Sequence, residues 1–418
     1  MGSERIRVLV AGGGPAGFMA AISAAEAGVR GVHLLEATPH LLNKVLMSGG
    51  GRCNVTHACW DPRDLVGHYP RGSRALRGPF SRFATGDAVA WFEAHGLALV
   101  QEPDGRLFPR SNRSQSVVDV LRSAAAAAGV TVHSGAALER ARACDAGFCL
   151  QMRASQEVLQ VDALVLATGS HPSGRKLARE FGHRIVPPVP SLFTVALAGD
   201  PLLTLAGVSM ESVGLSLELP DGAHHHQQGA VLITHWGLSG PATLRLTAFA
   251  APDLHACGYR GVLRIDWTGG RCQQEVEQLF QAARVSQARR LLSRWRPWPA
   301  LSRRLWQHLL VQAGIDCGRR WADLAKDQQR RLLAGLRRSE HVVSGRGPFG
   351  EEFVTAGGVS LGELDLGRME SRLQPGLFLV GELLDVDGVT GGFNFQHCWT
   401  SGWLAGQAIS RQLLKGKC

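Results

Sequence analysis

The chain has 418 residues, 45% of them hydrophobic and 19% charged, a balance that fits two or three packed domains and excludes a disordered polymer. No uncharged apolar run reaches the roughly 18–20 residues of a membrane helix, and no leader pattern precedes the first strand, so the expectation is a cytoplasmic protein with no membrane partner. The net charge is +10, and only five of the 45 basic residues are lysine.

Nine cysteines, with no Cys-x-x-Cys among them, suit neither a disulfide framework nor a zinc motif. Cys53 and Cys59 read as packing or backbone positions rather than a redox disulfide beside a cofactor.

In chain order, residues 6–10 form an apolar strand, 15–28 an alanine-rich helix and 32–36 a second strand. Gly12-Gly13-Gly14-Pro15-Ala16-Gly17 sits between the first strand and the helix as Gly-x-Gly-x-x-Gly. Gly12 makes the tight turn, Gly14 admits a pyrophosphate to the backbone, and Gly17 lets helix and strand pack closely. The pyrophosphate then meets the N–H groups of the helix start. Glu36, followed by Ala37, ends the second strand where it can accept hydrogen bonds from a ribose. Strand, glycine turn, helix, strand and acid in this order predict a dinucleotide site.

A helix follows at 114–128, then a strand at 130–133. Short strands at 148–152 and 158–161 lead to a buried apolar strand ending in Ala167-Thr168-Gly169, where a chain passing an FAD pyrophosphate would turn away. Beyond Pro187-Pro188-Val189-Pro190, residues 191–272 read as strands throughout. Residues 275–338 read as basic helices broken at Pro297 and Pro299. A last strand, 376–381, runs into Gly381-Glu382, then Asp385, then Gly391-Gly392-Phe393-Asn394-Phe395-Gln396 at the start of the final helix. An acid for a ribityl hydroxyl and glycines beside a flat ring select FAD over NAD. No second glycine fingerprint provides a nicotinamide domain, so NAD(P)H enters only as a diffusible electron donor.

The string Ser48-Gly49-Gly50-Gly51-Arg52-Cys53-Asn54-Val55-Thr56 closely resembles the BaiN-like family of NAD(P)/FAD-dependent oxidoreductases, relatives of which include aminoacetone-oxidase-like flavoproteins. The likeness continues at Gly105-Arg106-Leu107-Phe108-Pro109, Ser111-Asn112, Thr234 through Pro241, Val354 through Val359 and Gly381 through Gln396. The resemblance implies an α/β, Rossmann-like FAD-binding domain of the two-dinucleotide-binding-fold type, interrupted by a β-barrel-like plus helical insertion. The expected domains are 1–190 and 343–418 for FAD, around an insertion at 191–342 that is β-rich over 191–272 and helical over 273–342. It further implies that Gly12, Gly14, Pro15, Ala16, Gly17 and Glu36 hold the ADP half. Lys44, Ser48, Gly49, Gly50, Gly51, Arg52, Cys53, Asn54, Gly381, Glu382, Asp385, Gly392, Asn394, Phe395 and Gln396 would line the flavin. One departure is a short stretch, Ser170-His171-Pro172-Ser173-Gly174, where many relatives carry a longer glycine-rich one.

The expected activity is hydride or electron transfer between flavin and a small organic substrate, with NAD(P)H or oxygen as the other partner and a reductase preferred to an oxidase. Lys44 is a candidate for stabilising reduced flavin, and His235, beside Trp236, a candidate proton donor. His224-His225-His226 reads as a polar hairpin tip, so no metal is expected. The alternative is a flavin-dependent RNA-modifying enzyme using the arginines and Trp295, Trp298 and Trp306 of the helical insertion. At helical spacing those tryptophans read as core and the arginines as a solvated face, which disfavours nucleic acid. No signal sets an oligomeric state.

Overall fold

A computed structural model describes residues 5–145, 147–153, 157–348 and 354–415. It divides into two compact units, Met1–Pro188 with Thr355–Cys418, and Val189–Val354.

The first unit is built on a sheet whose parallel part runs in the order Leu377–Leu379, Ala163–Leu166, Val8–Ala11, Val32–Glu36, Thr131–Ser134. Every residue of the three strands Leu377–Leu379, Ala163–Leu166 and Val8–Ala11 is buried, as expected of parallel strands covered on both faces. Glu370–Ser371 and Leu364–Asp365 extend one edge antiparallel. Helix Pro15–Glu26 starts with proline in its first turn, where no N–H is needed. It packs on the last helix, Phe393–Lys415. A Cβ on Gly402 would stand 2.5 Å from the Ala16 carbonyl oxygen, and one on Gly406 2.6 Å from the Ser23 Cβ. The two ends of the chain therefore meet through a crossing that only glycine permits.

The second unit has a seven-stranded sheet in the order Ser339–Val343, Gly261–Asp266, Ser209–Glu218, His224–Ile233, Gly237–Ser239, Val195–Ala196, Gly345–Arg346. Its strand pairs are antiparallel. Helices Gln273–Ser286, Arg303–Gln312 and Lys326–Arg338 bury one face with that sheet.

Two readings need correction here. Residues 191–272 are not all strand, because helices Pro241–Phe249 and Ala251–Ala256 interrupt them. Gly240 at φ +96° followed by proline starts a helix rather than a hairpin turn. The three histidines begin a strand instead of forming a turn. His225 pairs with Asp253 at 2.8 Å, whereas His224 and His226 lie exposed on the other face.

Candidate functional site

Strand register explains why distant segments converge in the first unit. Ala11 lies beside Leu35 and Leu166, and Leu166 beside Leu379. The Gly12 turn, Glu36, Ala167-Thr168-Gly169 and Gly381-Glu382 consequently gather at the carboxyl ends of neighbouring parallel strands, where ligands of open α/β sheets bind. Gly12 has φ +120°, and a side chain there would overlap the Ala167 carbonyl. Gly14 faces open space instead, with nothing within 4 Å of the position a Cβ would take, and Pro15, Ala16 and Gly17 open the helix. Glu36 accepts the Gly13 N–H at 3.0 Å and the Thr38 N–H at 2.9 Å, which steers its carboxylate to the turn. Ala37 is exposed beside it.

The loop from Ser48 to Asn54 has left-handed backbone at Gly49, Gly50, Gly51 and Cys53. Gly50 and Gly51 face open space. Cys53 is fully buried, and burial pushes its thiol up to about 12 against a weaker hydrogen bond from Ser48. Such a thiol packs the loop rather than contacting a cofactor through sulfur. Arg52 is tied down by Glu102 and Asn112 and lies 4.0 Å over the Phe108 ring. The separate sequence blocks at 48–56 and 105–112 are thus one structural piece.

Lys44 pairs with Glu382 and reaches the Ser170 hydroxyl at 3.3 Å. The other Glu382 oxygen accepts the Thr355 N–H at 3.2 Å. Asp385 has its pKa raised, first by burial and also by Asp387, against the opposing charge of Arg71 and a hydrogen bond from Gly357. Gly391 and Gly392 have φ of +126° and +94°. Asn394 exchanges two hydrogen bonds of 2.8 Å with the Gly388 backbone, and Phe395 stacks on Trp399. Gln396 is buried, accepting from Thr56 at 2.6 Å and donating to Thr400 at 3.1 Å. These last three side chains therefore shape the turn through protein partners. His235 belongs to the second unit, exposed in the turn that Thr234 and Gly237 close with a 2.8 Å backbone bond.

Buried polar atoms without partners occur on several of these segments. Among the described residues, Asn54 Oδ1, Thr168 Oγ1 and Asp385 Oδ1 all lack a hydrogen bond, and a Cβ on Gly392 would come within 2.8 Å of Asn54 Oδ1. Orphaned acceptors are costly in a folded chain. Unpaired amide, hydroxyl and carboxyl groups on these segments, with open space at Gly14, Gly50 and Gly51, fit the ribityl hydroxyls and ring N–H of FAD.

Some residues converge on the same turn without any signal in the sequence. The near-parallel rings of His57 and His68 lie 4.8 and 4.2 Å from Phe393, and the Tyr69 hydroxyl donates to the Phe393 carbonyl at 2.6 Å. Arg71 forms an ion pair with fully buried Asp387. His397 donates from Nε2 to the Gly381 carbonyl at 3.2 Å, while its Nδ1 is buried without a partner.

A glycine-turned nucleotide cradle at the carboxyl edge of a parallel sheet, completed from the far end of the chain, defines a Rossmann-type flavoprotein of the FAD-dependent oxidoreductase class. More particularly, the chain belongs to the family described as HI0933-like protein Rossmann domain, which matches residues 6–408. The resemblance carried by Ser48 through Thr56 thus extends over nearly the whole length. The chain is 29% identical to the 3-dehydro-bile acid delta(4,6)-reductase of Clostridium scindens, over 97% of this chain and 99% of that protein. It is also 29% identical to the ribosomal RNA dihydrouridine synthase of Escherichia coli, over 97% of this chain and 98% of that protein. The fold is shared with the 3-ketosteroid-delta4-(5alpha)-dehydrogenase of Rhodococcus jostii RHA1, with a TM-score of 0.51, 15% identity and 98% of each chain covered. Among the described residues, no helix is long and apolar enough to cross a membrane.

Proposed function

We propose that this protein is an FAD-dependent reductase that saturates a carbon–carbon double bond conjugated to a carbonyl in a small organic molecule, with NAD(P)H as the electron donor. The observation that carries the reading is the cradle of the first unit, with open space at Gly14, Gly50 and Gly51 and buried unpaired polar atoms on Asn54, Thr168 and Asp385. The two named relatives support the reaction class by a shared chemistry. A 3-oxo steroid with 4,6-unsaturation and the uracil ring each present alkene bonds conjugated to a carbonyl, and each such bond takes up one hydride and one proton.

Bound FAD would supply the hydride. The chain's own groups hold it. The Gly12 turn and helix Pro15–Glu26 offer N–H groups to the pyrophosphate, and Glu36 holds the ribose side. Asp385, whose pKa burial raises, presents carboxyl oxygens to a ribityl hydroxyl. Lys44 places positive charge beside Glu382 at the same edge.

A second reading, in which the alkene is uracil within RNA, is favoured by the net charge of +10 and the Escherichia coli relative. The tryptophans that suggested base stacking do not favour it, since Trp298 and Trp306 are buried in the core of the second unit.

The test is anaerobic spectroscopy of the FAD-loaded protein. Bleaching by NADPH or NADH, followed by reoxidation on adding a 3-oxo-4-ene steroid or 2-cyclohexenone, is expected. A flavin that neither nucleotide bleaches would sink the reductase reading. Bleaching with reoxidation only by a uridine-containing RNA would transfer the reading to RNA.

A further inference from the structure

The outward face of the second unit's sheet carries a cavity that the proposed reduction does not involve. Strands Ser209–Glu218, His224–Ile233 and Gly261–Asp266 lie side by side, with Ser216 opposite His226 on one flank and Arg264 on the other. Gly214 takes the neighbouring same-face position, opposite Asp266. Two small residues form the floor, and longer side chains rise around it. The alternate residues Leu215, Leu217, Leu263 and Ile265 are buried on the opposite face, so the pleat itself turns the polar set outward. The resulting cavity is about 370 Å³, and His224, Arg337 and Arg338 also line it.

Its lining holds more arginine than acid, although Glu218 and Glu340 pair with Arg264 and Glu340 also lies 3.9 Å from Arg338. Three arginines and two histidines face one acid, Asp266, and that acid already accepts the Thr268 N–H at 2.8 Å and the Thr268 hydroxyl at 2.6 Å. Arg264 is held from both sides by Glu218 and Glu340, which fixes its guanidinium in place. Arg337 is different. Its Nε is buried with no hydrogen-bond partner among the described residues, and its Nη1 makes a long 3.3 Å contact to Gln273. A buried donor without an acceptor is unfavourable, and an anionic oxygen is the acceptor that matches a guanidinium.

We propose that this face binds a phosphate group, seated over Gly214 and Ser216 and held by Arg337, Arg338 and His226. The ligand is either a small phosphate-bearing metabolite or the phosphodiester backbone of RNA. The inference stands on the second unit alone and does not depend on the reductase reading.

The FAD-loaded full-length chain would be titrated at low ionic strength in a phosphate-free buffer. One arm uses inorganic pyrophosphate followed by calorimetry, and the other a short fluorescent single-stranded RNA followed by anisotropy. Saturable binding is expected, weakened about fivefold or more in Arg337→Gln and in His226→Asn. Arg289→Gln, on an exposed arginine elsewhere in the unit, should bind like the parent. His226→Asn sits on the exposed strand face, so it tests the site even if Arg337→Gln perturbs its helix. RNA binding about tenfold tighter than pyrophosphate would identify RNA as the source, and the reverse order a small metabolite. Absence of saturable binding in both arms, or an equal loss in Arg289→Gln, would overturn the proposal.

Discussion

His397 shows how one enclosed side chain makes the fold sensitive to acid. Burial, only partly offset by its bond to Gly381, lowers its pKa from 6.5 to about 4. The imidazole thus stays neutral in the native chain, while the unfolded chain takes up a proton near the ordinary histidine value. Its contribution is fully present above that value and is lost as pH falls from 6.5 toward 4, by about 3 kcal/mol at most. Replacing it with glutamine keeps a donor for the Gly381 carbonyl and removes the titration. Chemical denaturation at about pH 7.5 and about pH 5 should show the parent losing roughly 2 kcal/mol more than His397→Gln between the two conditions. Equal losses would mean that His397 is not the group responsible.

At the scale of elements, the crossing of helices Pro15–Glu26 and Phe393–Lys415 joins the nucleotide turn to the segment that ends in the last helix. A Cβ on Gly406 would already lie 2.7 Å from the Ala24 backbone nitrogen, so Gly406→Val must push the helices apart. We expect a cost of about 2–3 kcal/mol or more, seen as a lower thermal midpoint together with loss of bound FAD. Retention of both would show that the crossing is more yielding than its spacing implies. The parallel sheet was legible in the sequence because its strands are continuous apolar runs and its ligand-bearing residues sit at strand ends. Helix Pro241–Phe249 was not, because Gly240-Pro241 serves a turn and a helix start equally well. The aromatic wall and the Arg71–Asp387 pair were also hidden. Their partners lie more than 300 residues apart, and no local spacing or propensity encodes such a contact. Trp306 shows the converse: helical spacing alone marked it as core, and it is fully buried.

For the whole molecule, the two units differ in how the chain builds them. The second is one continuous stretch, Val189–Val354, with a core of its own that includes Leu215, Ile265, Trp267, Phe280, Trp306, Trp321 and Leu336. The first is discontinuous, yet its two parts are bound by parallel pairing of Leu164 with Leu377 and by the glycine crossing. At the point of interruption, a Cβ on Gly357 would lie 3.0 Å from Pro188 Cα, so the cut ends are neighbours. A short glycine linker from Pro188 to Thr355 should therefore close the first unit without stretching it. We expect that shortened chain to retain FAD, measured by its visible spectrum after gel filtration. The excised 189–354 fragment should unfold cooperatively on heating and bind no flavin. A fragment that melts without cooperativity would show that the second unit borrows its stability from the first. A shortened chain that folds but cannot hold FAD would show that the cradle at the sheet's carboxyl edge is incomplete without residues of the insertion.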